Sequence, residues 1–133
     1  MALYVDTSAL LKRYVRERDS EVARQLMATD PVLVTSHLTE VEVRRNLARL
    51  LSPEDALAAK RRFVEDLDAF ALVNLDATTC CEAARIAEQT MCRSLDALHL
   101  SAALRSGSAT TLLTFDIRQA QAARTLGMTV VGT

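Results

Sequence analysis

Three aspartates in this sequence stand where a carboxylate can do more than keep a surface wet. Asp6 closes the apolar run Ala2-Leu3-Tyr4-Val5, and Asp116 closes Thr111-Leu112-Leu113-Thr114-Phe115. Asp96 follows Ser94-Leu95 at the start of an apolar periodic stretch. Each has an ordinary use, because acids are favoured at helix N-termini both as caps and by the helix dipole. Together they have a second one. Two acids at equivalent strand ends share one edge of a sheet, which is where open α/β sheets bind ligands. Clustered carboxylates repel each other and are costly to hold together without a cation. The cations that prefer oxygen ligands are Mg²⁺ and Mn²⁺, and either can acidify a bound water and neutralise a phosphodiester.

The elements that position these acids follow from hydrophobic periodicity and its punctuation. Residues 2–5 predict a strand, and Asp6-Thr7-Ser8 are good caps for a helix carrying Leu10, Leu11, Tyr14 and Val15. Glu21–Ala28 predicts a short helix, Asp30-Pro31 a break, and Val32-Leu33-Val34-Thr35 a second buried strand. Ser36 then introduces a long helix to about Leu51. Ser52-Pro53-Glu54-Asp55 is a helix start, with a cap, a first-turn proline and acids facing the dipole, for a helix to about Phe70. Ala71–Leu75 predicts a third strand, and Asp76 caps a helix to about Gln89. Ser94 is read as the cap of a helix over Leu95–Arg105, ended by Gly107. Thr111–Phe115 is the fourth strand, Asp116 starts a helix that stops at Gly127, and Thr129–Val131 is the last strand. Short apolar strands alternating with helices imply an α/β fold, a mostly parallel central sheet flanked by helices on both faces.

Bulk composition bounds the rest. A chain of 133 residues, 50% hydrophobic and 25% charged, reads as a single domain, residues 1–133, with a real core. No apolar run is long enough to span a bilayer, and an acid at position 6 is unlike a signal peptide, so a cytoplasmic protein is expected. The net charge of −1 is not that of a generally basic nucleic-acid binder. The cations are nonetheless almost all arginine, Lys12 and Lys60 being the only lysines, and arginine suits bidentate phosphate contacts. Cys80, Cys81 and Cys92 offer no C-x-x-C pair and are expected to be buried, reduced thiols. The few aromatics, among them Tyr4, Tyr14 and Phe115, are too apolar in context for a base-stacking platform.

Four segments, in order, resemble the PIN-domain nucleases: Val5-Asp6-Thr7-Ser8-Ala9-Leu10-Leu11, Thr35-Ser36-His37-Leu38-Thr39-Glu40-Val41-Glu42, Ser94-Leu95-Asp96-Ala97-Leu98-His99, and Leu113-Thr114-Phe115-Asp116. The resemblance covers nearly the whole chain and is nearest to the VapC-type toxins of bacterial toxin–antitoxin pairs. It implies a PIN-like fold and endonucleolytic cleavage of RNA dependent on Mg²⁺, with Mn²⁺ as substitute. It also implies a homodimer and a small, adjacently encoded antitoxin protein. By motif it carries the catalytic acids onto Asp6, Glu42, Asp96 and Asp116, with Asp6 and Asp96 as the metal ligands. The other reading is a PIN-like module that binds RNA or a partner without cutting.

Glu42 has a near neighbour in Glu40. Two helical positions apart, their side chains point about 200° from each other, so they cannot share a site. Glu40 aligns with Val43 and Leu47 beside an apolar stripe completed by Leu50, whereas Glu42 aligns with the polar Arg45, Asn46 and Arg49. Arg45 and Arg49 therefore face either RNA phosphates or helix ion pairs. His99, one turn after Asp96, is either a general base or a histidine that sits in the core or backs the site's acids, and its apolar neighbours Leu98, Leu100 and Ala103 favour the latter. Thr7, Ser8 and Thr114 are suited to orient acids or water, or to cap helices. Two rival folds with acids at strand ends fail on named positions. A receiver domain needs a late lysine that is absent, and a phosphatase of the haloacid dehalogenase type needs an aspartate where Ser8 stands.

Overall fold

The computed structural model describes residues 2–133. Strands β1 (Ala2–Val5), β2 (Leu33–Ser36), β3 (Ala71–Val73), β4 (Thr110–Leu113) and β5 (Thr129–Val131) form one sheet in the order β3-β2-β1-β4-β5. Every strand pair is parallel. The chain builds outward from β1 to one side through β2 and β3, then returns to β1's other side for β4 and β5. The order thus reverses between β1 and β4, whose carboxyl ends lead to Asp6 and Asp116. A crevice at such a reversal is the usual ligand position in an open parallel sheet.

The helices are α1 (Thr7–Leu11), α2 (Ser20–Met27), α3 (His37–Leu50), α4 (Pro53–Leu67), α5 (Ala77–Thr90), α6 (Ser94–Arg105) and α7 (Ile117–Thr125). Strand alternation sorts the core into two layers. Leu3, Val5 and Leu113 point to one face and pack with Leu10, Tyr14, Val43, Leu47 and Phe63 from α1, α3, α4 and the turn after α1. Tyr4 and Leu112 point to the other face and pack with Ile86, Leu100, Ala102 and Ala123 from α5, α6 and α7. Burying each large apolar side chain contributes about 1.5–3 kcal/mol. Helix α6 is buried nearly all round, through Ala97, His99, Leu100, Ser101, Ala102 and Ala103. Its small residues allow it to lie close to the sheet and to α5.

Helix caps fix the ends that matter. Asp6 and Asp116 both cap, Asp6 accepting from the Ala9 amide and Asp116 from the amides of Arg118 and Gln119. Ser52 and Asp76 cap α4 and α5 as expected. The expectation for Ser94 shifts by one residue: Arg93 occupies the N-cap, without a side-chain cap bond, and Ser94 is already helical. Helix α1 is shorter than its apolar spacing suggested, because Tyr14 and Val15 belong to turns that follow it. In α3 the buried stripe is Leu38, Thr39, Val43 and Leu47, and Leu50 lies outside it, exposed. Gly132, with φ +102°, lies so close to the Thr114 carbonyl that a β-carbon there would sit 2.5 Å from the oxygen. Only glycine lets the chain after β5 pass so near a residue of the acid site.

The cysteines are a correction. Cys80 and Cys81 are exposed, and Cys92 is partly so. Helix α5 buries Thr79, Ala83 and Ile86, and a period of 3.6 residues then turns positions 80 and 81 outward. Among the described residues, no helix is long and apolar enough to cross a membrane.

Candidate functional site

Asp6 is 1% exposed, at the carboxyl end of β1. Its Oδ1 accepts from the Ser8 hydroxyl at 2.8 Å and the Ala9 amide at 3.0 Å. Its Oδ2 accepts from the Thr114 hydroxyl at 2.6 Å. Ser8 in turn accepts from the Phe115 amide at 2.9 Å, so one hydroxyl ties the ends of β1 and β4 together. Burial pushes the Asp6 carboxyl above its ordinary range, against the pull of the nearby His99 and of these three donors. A carboxylate oxygen has two acceptor sites, so Oδ2 retains one beyond the bond from Thr114.

Asp96 sits half-buried in the first turn of α6, and its carboxylate has no hydrogen bond or ion pair among the described residues. Its pKa is raised by partial burial and then by the charge of Asp116, with Asp6 adding to the push and His99 and Arg93 opposing it. Asp116 is exposed and spends Oδ1 on capping α7. Asp96 thus feels the charge of both other aspartates. Each cap reading is therefore compatible with a site reading, since the caps leave further oxygen sites open.

Glu42 is drawn in from α3. Its Oε1 accepts from Thr7 Oγ1 and from His99 Nε2, both at 2.6 Å. Burial raises its pKa, but the bonds from His99 and Thr7, with the His99 charge, outweigh burial and leave it lowered. His99 is 3% exposed and reaches the Tyr4 hydroxyl through Nδ1 at 3.0 Å, and Tyr4 also bonds Ser36 Oγ at 2.9 Å. The Tyr4 hydroxyl donates its one proton to Ser36 Oγ, so toward His99 Nδ1 its oxygen is the acceptor. The result is a buried line Ser36–Tyr4–His99–Glu42 ending at the cleft. Tyr4 and Ser36 are site-supporting residues that sequence reasoning missed, since Tyr4 reads as core and Ser36 as a cap, a bond Ser36 does not make. Glu40 lies elsewhere, beside His37 at 3.4 Å and Arg44 at 3.9 Å on the helix surface.

Asp6, Glu42, Asp96 and Asp116 all line a single cleft of ≈ 230 Å³, with Thr7, Ser8, Asn46, His99 and Gln119. Asn46 bonds the Glu42 carbonyl, and Arg49 bonds Asn46 at 2.9 Å. Arg45 and Arg49 are exposed on the same helix, and neither forms an ion pair among the described residues. Gln119, not anticipated from sequence, is 2% exposed and its Nε2 is the one buried side-chain polar atom without a partner among the described residues. Thr114 has one proton and gives it to Asp6, so its 3.5 Å contact with Gln119 Oε1 is not a second hydrogen bond.

The donor set fits a hard divalent cation of a particular kind. Among the described residues no three carboxylate, imidazole or thiolate groups converge tightly enough to enclose an ion by themselves. Mg²⁺ does not need that, because it is commonly held by one or two carboxylates and keeps several waters. Both oxygens of Asp96, Glu42 Oε2 and Asp116 Oδ2 carry no hydrogen bond among the described residues, and Asp6 Oδ2 keeps one acceptor site beyond the bond from Thr114. The unpartnered amide of Gln119 suits a water or an anion beside such an ion.

Comparison with known proteins agrees with this architecture. The PIN domain family model matches residues 3–125. The chain belongs to the PIN-domain family. Within it, this PIN domain is of the VapC kind. It is 38% identical over 131 residues to "Ribonuclease VapC46" of Mycobacterium tuberculosis, covering 98% of this chain and 96% of the relative. Its fold matches the crystal structure of FitAcB from Neisseria gonorrhoeae with a TM-score of 0.78 at 19% identity, over 98% of this chain and 96% of that one. A toxin–antitoxin complex from Klebsiella pneumoniae matches with a TM-score of 0.68 at 20% identity, over 87% of each chain. In this PIN domain the acid cleft thus lies at the switch point of a fold shared with those proteins.

Proposed function

We propose that this PIN domain is a Mg²⁺-dependent endoribonuclease, the toxin of a toxin–antitoxin pair, and that Asp6, Glu42, Asp96 and Asp116 are its catalytic acids. The observation that carries the proposal is that these four side chains, from four separate segments, line one cleft at the sheet's switch point. The full-length likeness to a protein named a ribonuclease supports RNA as substrate. The toxin–antitoxin complex among the structural neighbours supports a small antitoxin partner. We extend the proposal to a homodimer working in the cytoplasm.

Asp6 and Asp96 are assigned to hold the cation, Mn²⁺ being able to replace Mg²⁺. When bound, the cation supplies positive charge against the phosphodiester and a more acidic water for in-line attack. The residues of the chain do the remainder. Asp6 is kept rigid by Ser8, Thr114 and the Ala9 amide, which removes any choice of rotamer. Glu42 is kept ionised by His99 and Thr7, so it can accept a proton from an attacking water. Asp116 is aimed by its own cap bonds and adds negative charge at the cleft mouth. Without a cation that charge repels RNA, so cleavage should require one.

The test is cleavage of a single-stranded RNA by the wild type and by Asp6→Asn and Asp96→Asn with saturating Mg²⁺. Each variant should lose about 10²-fold or more in rate, the scale of a lost electrostatic contribution at the reacting centre. Either variant cutting at near the wild-type rate overturns the site assignment. RNA binding without cleavage by the wild type would instead establish a non-cutting module.

A further inference from the structure

A second cleft of ≈ 410 Å³ opens beside the acid site, between the α5–α6 turn and α7. Asp96 lines both clefts, so the two adjoin at its side chain. Two arginines face into the second one from different elements. Arg93 is the N-cap residue of α6, and Arg118 lies in the first turn of α7. Both are exposed, and neither side chain has an ion pair or hydrogen bond among the described residues. Other arginines are committed to carboxylates: Arg13 to Asp66, Arg24 to Glu21, Arg44 to Glu40, Arg85 to Glu82 and Arg105 to Asp76.

We propose that this cleft holds the RNA backbone next to the scissile phosphodiester, with Arg93 and Arg118 as its phosphate contacts. The inference rests on the ribonuclease reading and adds the path of the strand. A phosphodiester at the acid site belongs to a chain, and that chain must leave the site in some direction. The acid cleft itself is hostile to a polyanion. The adjoining cleft past Asp96 is lined by two unpaired guanidiniums, and a guanidinium fork matches phosphate oxygens bidentately. Its volume falls in the usual range for ligand pockets, about 300–1,000 Å³. No aromatic ring lines it, so its grip should fall on the backbone rather than on bases.

The experiment is the salt dependence of kcat/KM for a fluorogenic single-stranded oligoribonucleotide, with saturating Mn²⁺, between 50 and 200 mM salt. Arg93→Gln, Arg118→Gln and their double variant are compared with wild type and with Arg61→Gln, which removes one exposed charge from α4. Each cleft variant should raise KM about threefold or more and flatten the slope of log(kcat/KM) against log[salt] by about 0.7, the double variant by about 1.4. Melting temperature should stay near wild type, because neither side chain makes a hydrogen bond or ion pair that supports the fold, and the loss should fall on KM more than on kcat. Arg118→Lys should restore the slope while recovering KM only in part, since the charge returns without the fork. Cleft variants with wild-type KM and slope, or with the same shifts as Arg61→Gln, overturn the subsite while leaving the ribonuclease intact. A wild type that does not cut RNA overturns both.

Discussion

If Glu42 is held in place by His99, the two residues must be energetically coupled, and a double-mutant cycle reads that coupling directly. The perturbations are Glu42→Ala, His99→Ala and the pair. The bond from Nε2 to Oε1 is 2.6 Å long, on a carboxylate whose pKa is lowered and an imidazole that is 3% exposed. Hydrogen bonds to charged groups contribute about 1.5–3 kcal/mol, and partial exposure of Glu42 moves the expectation to the lower half of that range. His99→Ala also removes edge-to-face packing on Tyr4, with ring centroids 6.0 Å apart, which adds about 0.5–1.5 kcal/mol. That second loss occurs with or without Glu42, so it cancels in the cycle. The bond from Thr7 is lost in both Glu42 variants and cancels likewise. The assay is urea unfolding of the metal-free protein at pH 7, with His99→Gln as a variant that restores a donor. A coupling energy of about 1.5–2.2 kcal/mol is predicted, reduced but present with His99→Gln. Additivity within about 0.5 kcal/mol would refute the reasoning, because residues that merely share a cleft behave so.

Two further outcomes follow from the same charges. Asp96→Asn should stabilise the metal-free protein at pH 7 while it abolishes activity, because the folded-state pKa of Asp96 is raised by burial and by Asp116. The native state then binds more protons than the unfolded chain, so its cost is complete above the raised value and gone below the ordinary 3.8. A thermal scan in chelator should show the advantage of the variant shrinking as pH falls through that window, and a variant less stable than wild type at pH 7 would contradict it. Glu40→Gln and Glu42→Gln remove the same charge two positions apart on α3. Only Glu42→Gln should impair cleavage, and Glu40→Gln should change stability by no more than about 0.5 kcal/mol, equal losses in rate being the contrary result.

Much of this was legible in the sequence because the relevant signals are local. The strands are short apolar runs bounded on one side by Asp6, Pro31, Asp76, Gly107 or Gly127, and the parallel sheet follows from their alternation with helices. The opposed facing of Glu40 and Glu42 is helix arithmetic, and the structure places Glu42 in the cleft and Glu40 on the surface. The exposure of Cys80 and Cys81 was within reach of the same arithmetic, once Ala83 and Ile86 are taken as the buried stripe. What was not legible depends on long-range meetings. Tyr4 finds Ser36 at a separation of 32 residues and His99 at 95, and nothing near Tyr4 announces a polar partner. Arg93 and Arg118 look like ordinary helix-end arginines until α6 and α7 are brought side by side. Gln119 lies on the buried side of α7 with alanines and is revealed only by the acids it faces.

The most direct test of the acid cleft as a cation-dependent ribonuclease site is a Mn²⁺ titration followed by two readouts on the same protein. One is cleavage of single-stranded RNA, and the other is the melting temperature. A cation that binds the folded site alone stabilises it by about 2.7 kcal/mol at a hundredfold excess over its dissociation constant. The two curves should therefore half-saturate at the same Mn²⁺ concentration, Mg²⁺ should reproduce both, and chelator should abolish both. In Asp96→Asn the cleavage and the thermal shift should disappear together. Cleavage that persists in chelator, or a melting temperature indifferent to Mn²⁺ while cleavage rises, would contradict the account.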